Sequence, residues 1–155
     1  MRDRSDTAHA NDPHDLDRFV KAQTGDYDRA VAEIRSGRKQ SHWMWYVFPQ
    51  LTGLGVSSTA RRYAIRSLAE AEAYLRDPVL GPRLIECAEA VLAVEGRSAH
   101  EIFGAPDDMK LRSCATLFAR VSPRQSVFQR LLDRFFAGVP DQATLRLLGA
   151  AGGGG

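Results

Sequence analysis

The sequence predicts an all-α fold: one compact, non-repeat domain of about six to eight short helices. Three observations predict it. Apolar residues recur every three or four positions through most of the chain, the spacing of one helical face. Cap residues and breakers divide that pattern at short intervals, Asp or Ser before a segment and Gly or Pro after it. Alternating apolar and polar runs, the mark of half-buried strands, are almost absent. The 155 residues suit a single core. Their 44% apolar and 26% charged content is ordinary for a globular domain.

Residues 1–11 are polar and aperiodic and read as a loose tail, so the domain proper spans 12–148. The first helix is expected from about Pro13 to Gln23. Asp12 is its cap, Pro13 sits in its first turn, and Leu16, Phe19, Val20 and Gln23 share a face. A second helix follows Gly25, with Asp26 as cap candidate, a stripe of Tyr27, Val31 and Ile34, and Gly37 as the left-handed stop. Ser67 and Glu70 have capping-box spacing at the head of "SLAEAEAYLRDP", where Leu68, Ala71 and Leu75 face inward until Asp77-Pro78 breaks the helix. "VLGPRLIECAEAVLAVEG" gives a longer helix, with Leu84, Ile85, Ala88, Val91 and Leu92 on one side and Gly96 as its stop.

"SAHE", residues 98–101, is a second capping box that starts a short helix through Phe103. Pro106 opens the next helix, with a buried stripe of Leu111, Cys114, Phe118 and Val121. Ser122-Pro123 is expected to end that helix and cap another, filled by Val127, Phe128, Leu131, Leu132 and Phe135 and closed by Gly138. Asp141 caps a last short helix carrying Leu145 and Leu148. The tail "GAAGGGG", residues 149–155, is too rich in glycine to hold a packed element.

"RKQSHWMWYVFPQLTGLG", residues 38–55, is the ambiguous element. Its aromatic content suits a strand, and a helical turn ending before Pro49 fits equally. Under either geometry, residues four apart share a face. Arg38, His42 and Tyr46 are therefore expected in one row, a cation, an imidazole and a phenol, while Trp43 and Val47 anchor the segment in the core.

Charge sharpens the interest of this region. From Ile34 to Ala69 there is no Asp or Glu, and Arg35, Arg38, Lys39, Arg61, Arg62 and Arg66 give the segment +6 within a chain of net +2. Such one-sidedness attracts anions, or it is a solvated face balanced in space by distant carboxylates. The overall charge is too small to mark a nucleic-acid binder. No apolar run approaches the ~20 residues of a membrane span, and "MRDRSDTAHANDP" lacks the apolar middle of a signal peptide, so a cytoplasmic protein is expected. Cys87 and Cys114 read as reduced core thiols.

"GRKQSHWMWYVFPQLTGLGVSS" resembles the hallmark of an uncharacterised bacterial and fungal family, a domain of unknown function whose members often carry the label "calpastatin". "YAIRSLAEAEAYLRDPVLGPRL", "IFGAPDDMKLRSCATLF" and "FFAGVPDQATLRLL" fit the same pattern, which covers about Leu16 to Leu148. The resemblance implies a small all-helical domain and no assigned activity. The label does not suit the chain, because an inhibitor of that kind is disordered, repetitive and poor in aromatics. The family pattern has Ser-Met where this chain has Cys114-Ala115, and Phe where it has Tyr46.

The leading expectation is a small anionic ligand, phosphorylated or nucleotide-like, in a pocket lined by residues 38–63. His42 is the candidate acid–base, since imidazole exchanges protons near neutral pH. Arg38 and Lys39 are candidate anion holders, Tyr46 and Gln50 candidate polar contacts, and Arg62 and Lys110 weaker ones. Asp107 or Asp108 is placed to pair with His42 or with an arginine of the basic segment. The turn "GLGVSS" matches neither the P-loop nor the dinucleotide fingerprint, and Ser57 or Ser58 reads as a helix cap. No cofactor is expected, and no metal, because no ligand cluster appears; His9, His14 and His100 have no convincing partners. The alternatives are a protein-interaction module and, least favoured, single-stranded nucleic-acid binding.

Overall fold

Asp12 starts the fold from a distance. Its carboxylate accepts the N–H groups of Leu16 and Asp17 at 2.7 and 2.8 Å, so helix α1 (Asp17–Gln23) begins later than a cap at position 12 implies. This computed structural model describes residues 12–151; the tail expected at 1–11, and residues 152–155 of the tail expected at 149–155, lie outside them. Among the described residues there are ten helices and no strand. They are α1, α2 (Tyr27–Arg35), α3 (Met44–Val47), α4 (Ser58–Arg62), α5 (Leu68–Arg76), α6 (Leu80–Ala93), α7 (Ala99–Phe103), α8 (Asp107–Ala119), α9 (Val127–Phe136) and α10 (Gln142–Ala151). The all-α class is as expected. The count exceeds six to eight because α3 and α4 are hardly more than a turn each, too short for periodicity to reveal.

Helix α8 is the axis, packed by α5, α7, α9 and α10. Residues 113–118 are all buried, so this helix is enclosed around its circumference rather than along one stripe. Its two interior hydroxyls stay satisfied by bonding back one turn, Ser113 to the Met109 carbonyl at 3.1 Å and Thr116 to that of Arg112 at 2.8 Å. Helix α6 packs against α2, α5 and α9 and buries Leu80, Leu84, Cys87, Ala88 and Val91. Ile85, expected inside, is 38% exposed, because the buried stripe is the 80/84/87/88/91 row. Gly81 lets α6 meet the end of α5: a Cβ there would lie 2.1 Å from the Leu75 carbonyl oxygen. Both cysteines are buried, and burial pushes the Cys87 thiol up to about 12 and that of Cys114 well above its ordinary value.

Asp26 makes no side-chain cap bond, and two further capping expectations change. Ser98 and Glu101 close a full capping box, but Ser67 only accepts from the Glu70 N–H, because the Glu70 carboxylate is bound elsewhere. Ser126, not Ser122, caps α9. Helix α10, capped by Asp141 through the Thr144 N–H at 2.9 Å, runs on to Ala151 through the start of the glycine-rich tail. The ambiguous 41–48 stretch resolves as the single turn α3, and an isolated parallel bridge joins Leu51 to Ile65 just beyond it.

Candidate functional sites flanking the aromatic segment

Residues 38–43 are shaped by one carboxylate. Glu33, on α2, accepts the N–H groups of Gln40 and Ser41 at 2.8 Å each, the Ser41 hydroxyl at 2.5 Å and the Trp43 indole N–H at 2.9 Å. Burial pushes this carboxyl up, but those four donors outweigh it and hold its pKa at about 2. The bonded backbone bends where a strand or helix would run straight. The row of Arg38, His42 and Tyr46 therefore has no regular element to form on. Arg38 and His42 are exposed. Tyr46 turns to α2 instead, where its hydroxyl donates to Asp26 and its ring packs 5.3 Å from that of Tyr63. Burial, followed by that bond to Asp26, raises its pKa well above the ordinary phenol.

Lys39 is not a free cation. Its ammonium is 2.8 Å from Asp107, donates to the Ser41 carbonyl at 2.6 Å and lies 5.1 Å over the Trp43 ring. Asp107 thus meets Lys39, and also Lys110 at 3.3 Å, rather than His42. Asp108 takes His100 at 3.4 Å, and His14 lies 3.9 Å from Glu70, so both histidines have acidic neighbours the sequence did not suggest; His9 lies outside the described residues. Trp43, Met44, Val47 and Phe48 are buried, with Trp43 and Phe48 packed against Phe103.

Trp45 points the other way. It lines an open cleft of about 440 Å³ with Gln50, the 54–57 turn and Ala60 on one side, and Met109, Lys110 and Asp141 on the other. The Lys110 ammonium lies 4.7 Å from the Trp45 ring centre, a cation–π distance. The lining is mostly apolar, and Gly55 lets the turn close onto α4, since a Cβ there would come within 2.6 Å of the Ala60 methyl. Val56 and Met109 on this lip are 83% and 44% exposed. Ser57 caps α4 by accepting the Ala60 N–H at 3.1 Å.

A second cleft of about 470 Å³ opens beside α4 and brings together Arg18, Arg61, Arg62 and Arg66 with Asp15 and Ser58. Of the expected site residues, Gln50 and Lys110 meet in the first cleft and Arg62 belongs to the second. Arg61, Arg62 and Arg66 already stand together in the basic run, whereas Arg18 went unnoticed because it comes from α1, more than forty positions away in the chain. The described residues hold no group of three or more His, Cys, Asp or Glu side chains able to bind a metal, and no helix long and apolar enough to cross a membrane.

Fold and surface together define a small, non-repeat all-α domain. The chain belongs to the family described as "Protein of unknown function (DUF1810)", which matches residues 13–148 and bears out the resemblance read from the hallmark. It is similar to a crystal structure of the conserved hypothetical protein Rv1873 from Mycobacterium tuberculosis. The two share 55% identity at a TM-score of 0.87, over 88% of this chain and 98% of that one. No curated protein matches the chain.

Proposed function

We propose that the domain binds a small organic anion in the Trp45 cleft, whose near wall is the 45–60 part of the aromatic segment. The supporting observation is the Lys110 ammonium 4.7 Å from the Trp45 ring centre, at the edge of a mostly apolar hollow. A carbon skeleton would rest on Trp45, Leu54 and Met109, a single negative charge would share Lys110 with Asp107, 3.3 Å from it, and Gln50 would supply a directed donor and acceptor. With Lys110 already beside Asp107 and with Asp141 in the same lining, the cleft suits a singly charged carboxylate and disfavours a doubly charged group. His42 lies outside this lining, so the reading is one of binding and assigns His42 no chemistry. Stacking of single-stranded nucleic acid is less well supported, because Trp43 and Phe48 are spent in the core.

The test is a titration with aromatic and aliphatic carboxylates, read by tryptophan fluorescence and by melting temperature. Ligand at about a hundred times its Kd stabilises the fold by about 2.7 kcal/mol, a rise of several degrees. Trp45→Leu and Lys110→Met should abolish the rise while leaving the melting temperature of the free protein unchanged. Saturable binding that survives both substitutions sinks the assignment. A second reading, a docking surface for another protein, rests on the exposed Val56 and Met109 at the lip. It gains if the carboxylate panel gives no response and serine at both positions weakens a co-purifying complex.

A further inference from the structure

The arginine cleft is a different kind of surface. Arg18 is its frame: Nε donates to the Arg62 carbonyl at 2.8 Å, Nη1 to those of His14 and Asp15 at 2.7 Å each, and Nη2 to Ala64 at 2.8 Å and Glu70 at 2.7 Å. All five donors are used, so Arg18 binds nothing further and instead fixes residues 62–64 against α1. Arg66 reaches Glu70 through Nε at 3.0 Å and the His14 carbonyl through Nη2 at 2.9 Å, which leaves its Nη1 uncommitted among the described residues. Arg62 lies along the Tyr63 ring at 5.6 Å and touches its hydroxyl at 3.4 Å. Neither Arg61 nor Arg62 has a carboxylate within 4.0 Å among the described residues. Four guanidiniums thus stand against two carboxylates, Asp15 and Glu70, and the Ser58 hydroxyl joins them at the rim.

We infer that this cleft is a separate site for the phosphoryl group of a soluble phosphomonoester. The surplus of two positive charges matches the near-dianion such a group carries at neutral pH. Guanidinium forks fit its oxygens in pairs, and Arg61, Arg62 and Arg66 reach the hollow from both sides of the turn that Arg18 pins. A helix C-terminus accounts for cations at positions 61 and 62, but not for Arg66 converging on them from beyond the turn. The lining includes no aromatic ring and only Ala64 among apolar residues, so there is no platform for a base to stack on. The phosphoryl group itself is what the cleft recognises. The site shares no residue with the Trp45 cleft and stands or falls independently of it.

Two-dimensional amide NMR with glycerol phosphate and with inorganic phosphate, at a constant ionic strength of about 0.1 M, tests the site. Saturable one-to-one shifts should centre on residues 58–66. The double variant Arg61→Gln/Arg62→Gln should weaken binding at least about tenfold, the loss expected for even one charge-assisted bond. Lys110→Met should leave phosphate binding unchanged. Both arginines are exposed, so the double variant should melt as the parent does; if it does not, the shift map on the parent protein decides. Shifts that chloride reproduces at equal ionic strength, shifts centred elsewhere, or affinity indifferent to the double variant would each overturn the assignment. So would a single-stranded oligonucleotide that binds with a steep salt dependence where the phosphomonoester does not.

Discussion

Replacing Glu33 by glutamine should expose how the aromatic segment is held. The carboxylate accepts four hydrogen bonds, three of them on Oε1, from the Gln40, Ser41 and Trp43 N–H groups. Glutamine can keep its carbonyl oxygen in that position and turn its NH₂ toward the Ser41 hydroxyl. The substitution therefore removes charge and spares most of the geometry. The carboxyl's pKa falls from 4.5 to about 2 on folding. Taken in full, that depression is worth about 3 kcal/mol, but the group is only partly buried, and screening leaves about 1–2 kcal/mol. A depressed carboxylate contributes stability that is present above its unfolded pKa and lost as pH falls through the folded one. Urea unfolding should thus find Glu33→Gln about 1–2 kcal/mol less stable than the parent at pH 7, with the gap closing between about pH 5 and pH 2. Glu33→Ala orphans all four donors and should cost about 2–4 kcal/mol with faster exchange of the Trp43 indole proton. A difference between parent and glutamine variant that stays constant across that pH range would refute the assignment of charge as the stapling force.

Two further substitutions test the frame. Arg18→Met leaves Glu70, 1% exposed, without its closest cation and should cost about 3–5 kcal/mol in chemical denaturation; adding Glu70→Leu should recover much of it, since replacing both partners removes the uncompensated charge. Gly81→Ala would ordinarily stabilise a helix, but here its methyl meets backbone at 2.1 Å. A net loss of about 1–3 kcal/mol is expected, and a stability gain would show that α5 and α6 can separate at no cost.

How far the sequence could be read depends on the range of the interaction that decides each feature. Ser98 and Glu101 are three residues apart and compete with nothing, and their capping box forms as the spacing suggests. Ser67 and Glu70 have the same spacing, yet only half the box forms, because Arg18 claims the Glu70 carboxylate across 52 positions. Lys39 looked like an anion holder for the same reason: its partner Asp107 comes from the start of α8. The row of Arg38, His42 and Tyr46 failed at a different link. It assumed a regular element, and Glu33 bends the chain before α3 begins. Periodicity was most trustworthy in the long helices, where α6 and α9 buried most of their expected stripes, and it said nothing useful of α4.

The charge asymmetry of residues 34–69 divides residue by residue into paired and unpaired cations. Of the six cations in the acid-free segment, Arg35 meets Glu86 at 3.6 Å, Lys39 meets Asp107 at 2.8 Å and Arg66 meets Glu70 at 3.0 Å. Those carboxylates arrive from α5, α6 and α8, which is the balancing-in-space reading of a basic run. Arg38, Arg61 and Arg62 have no such partner among the described residues. Arg38 stands alone on the surface, where a lone cation is well solvated and implies nothing. Arg61 and Arg62 are adjacent, repel each other, and face a hollow that Arg18 holds rigid by spending every donor it has. Arg18 and Arg66 have Glu70 at 2.7 and 3.0 Å, so the repulsion left without a carboxylate is that between Arg61 and Arg62, which costs stability unless something negative offsets it. That cost is the physical reason to look for an anion at the arginine cleft rather than at the histidine first singled out by the sequence.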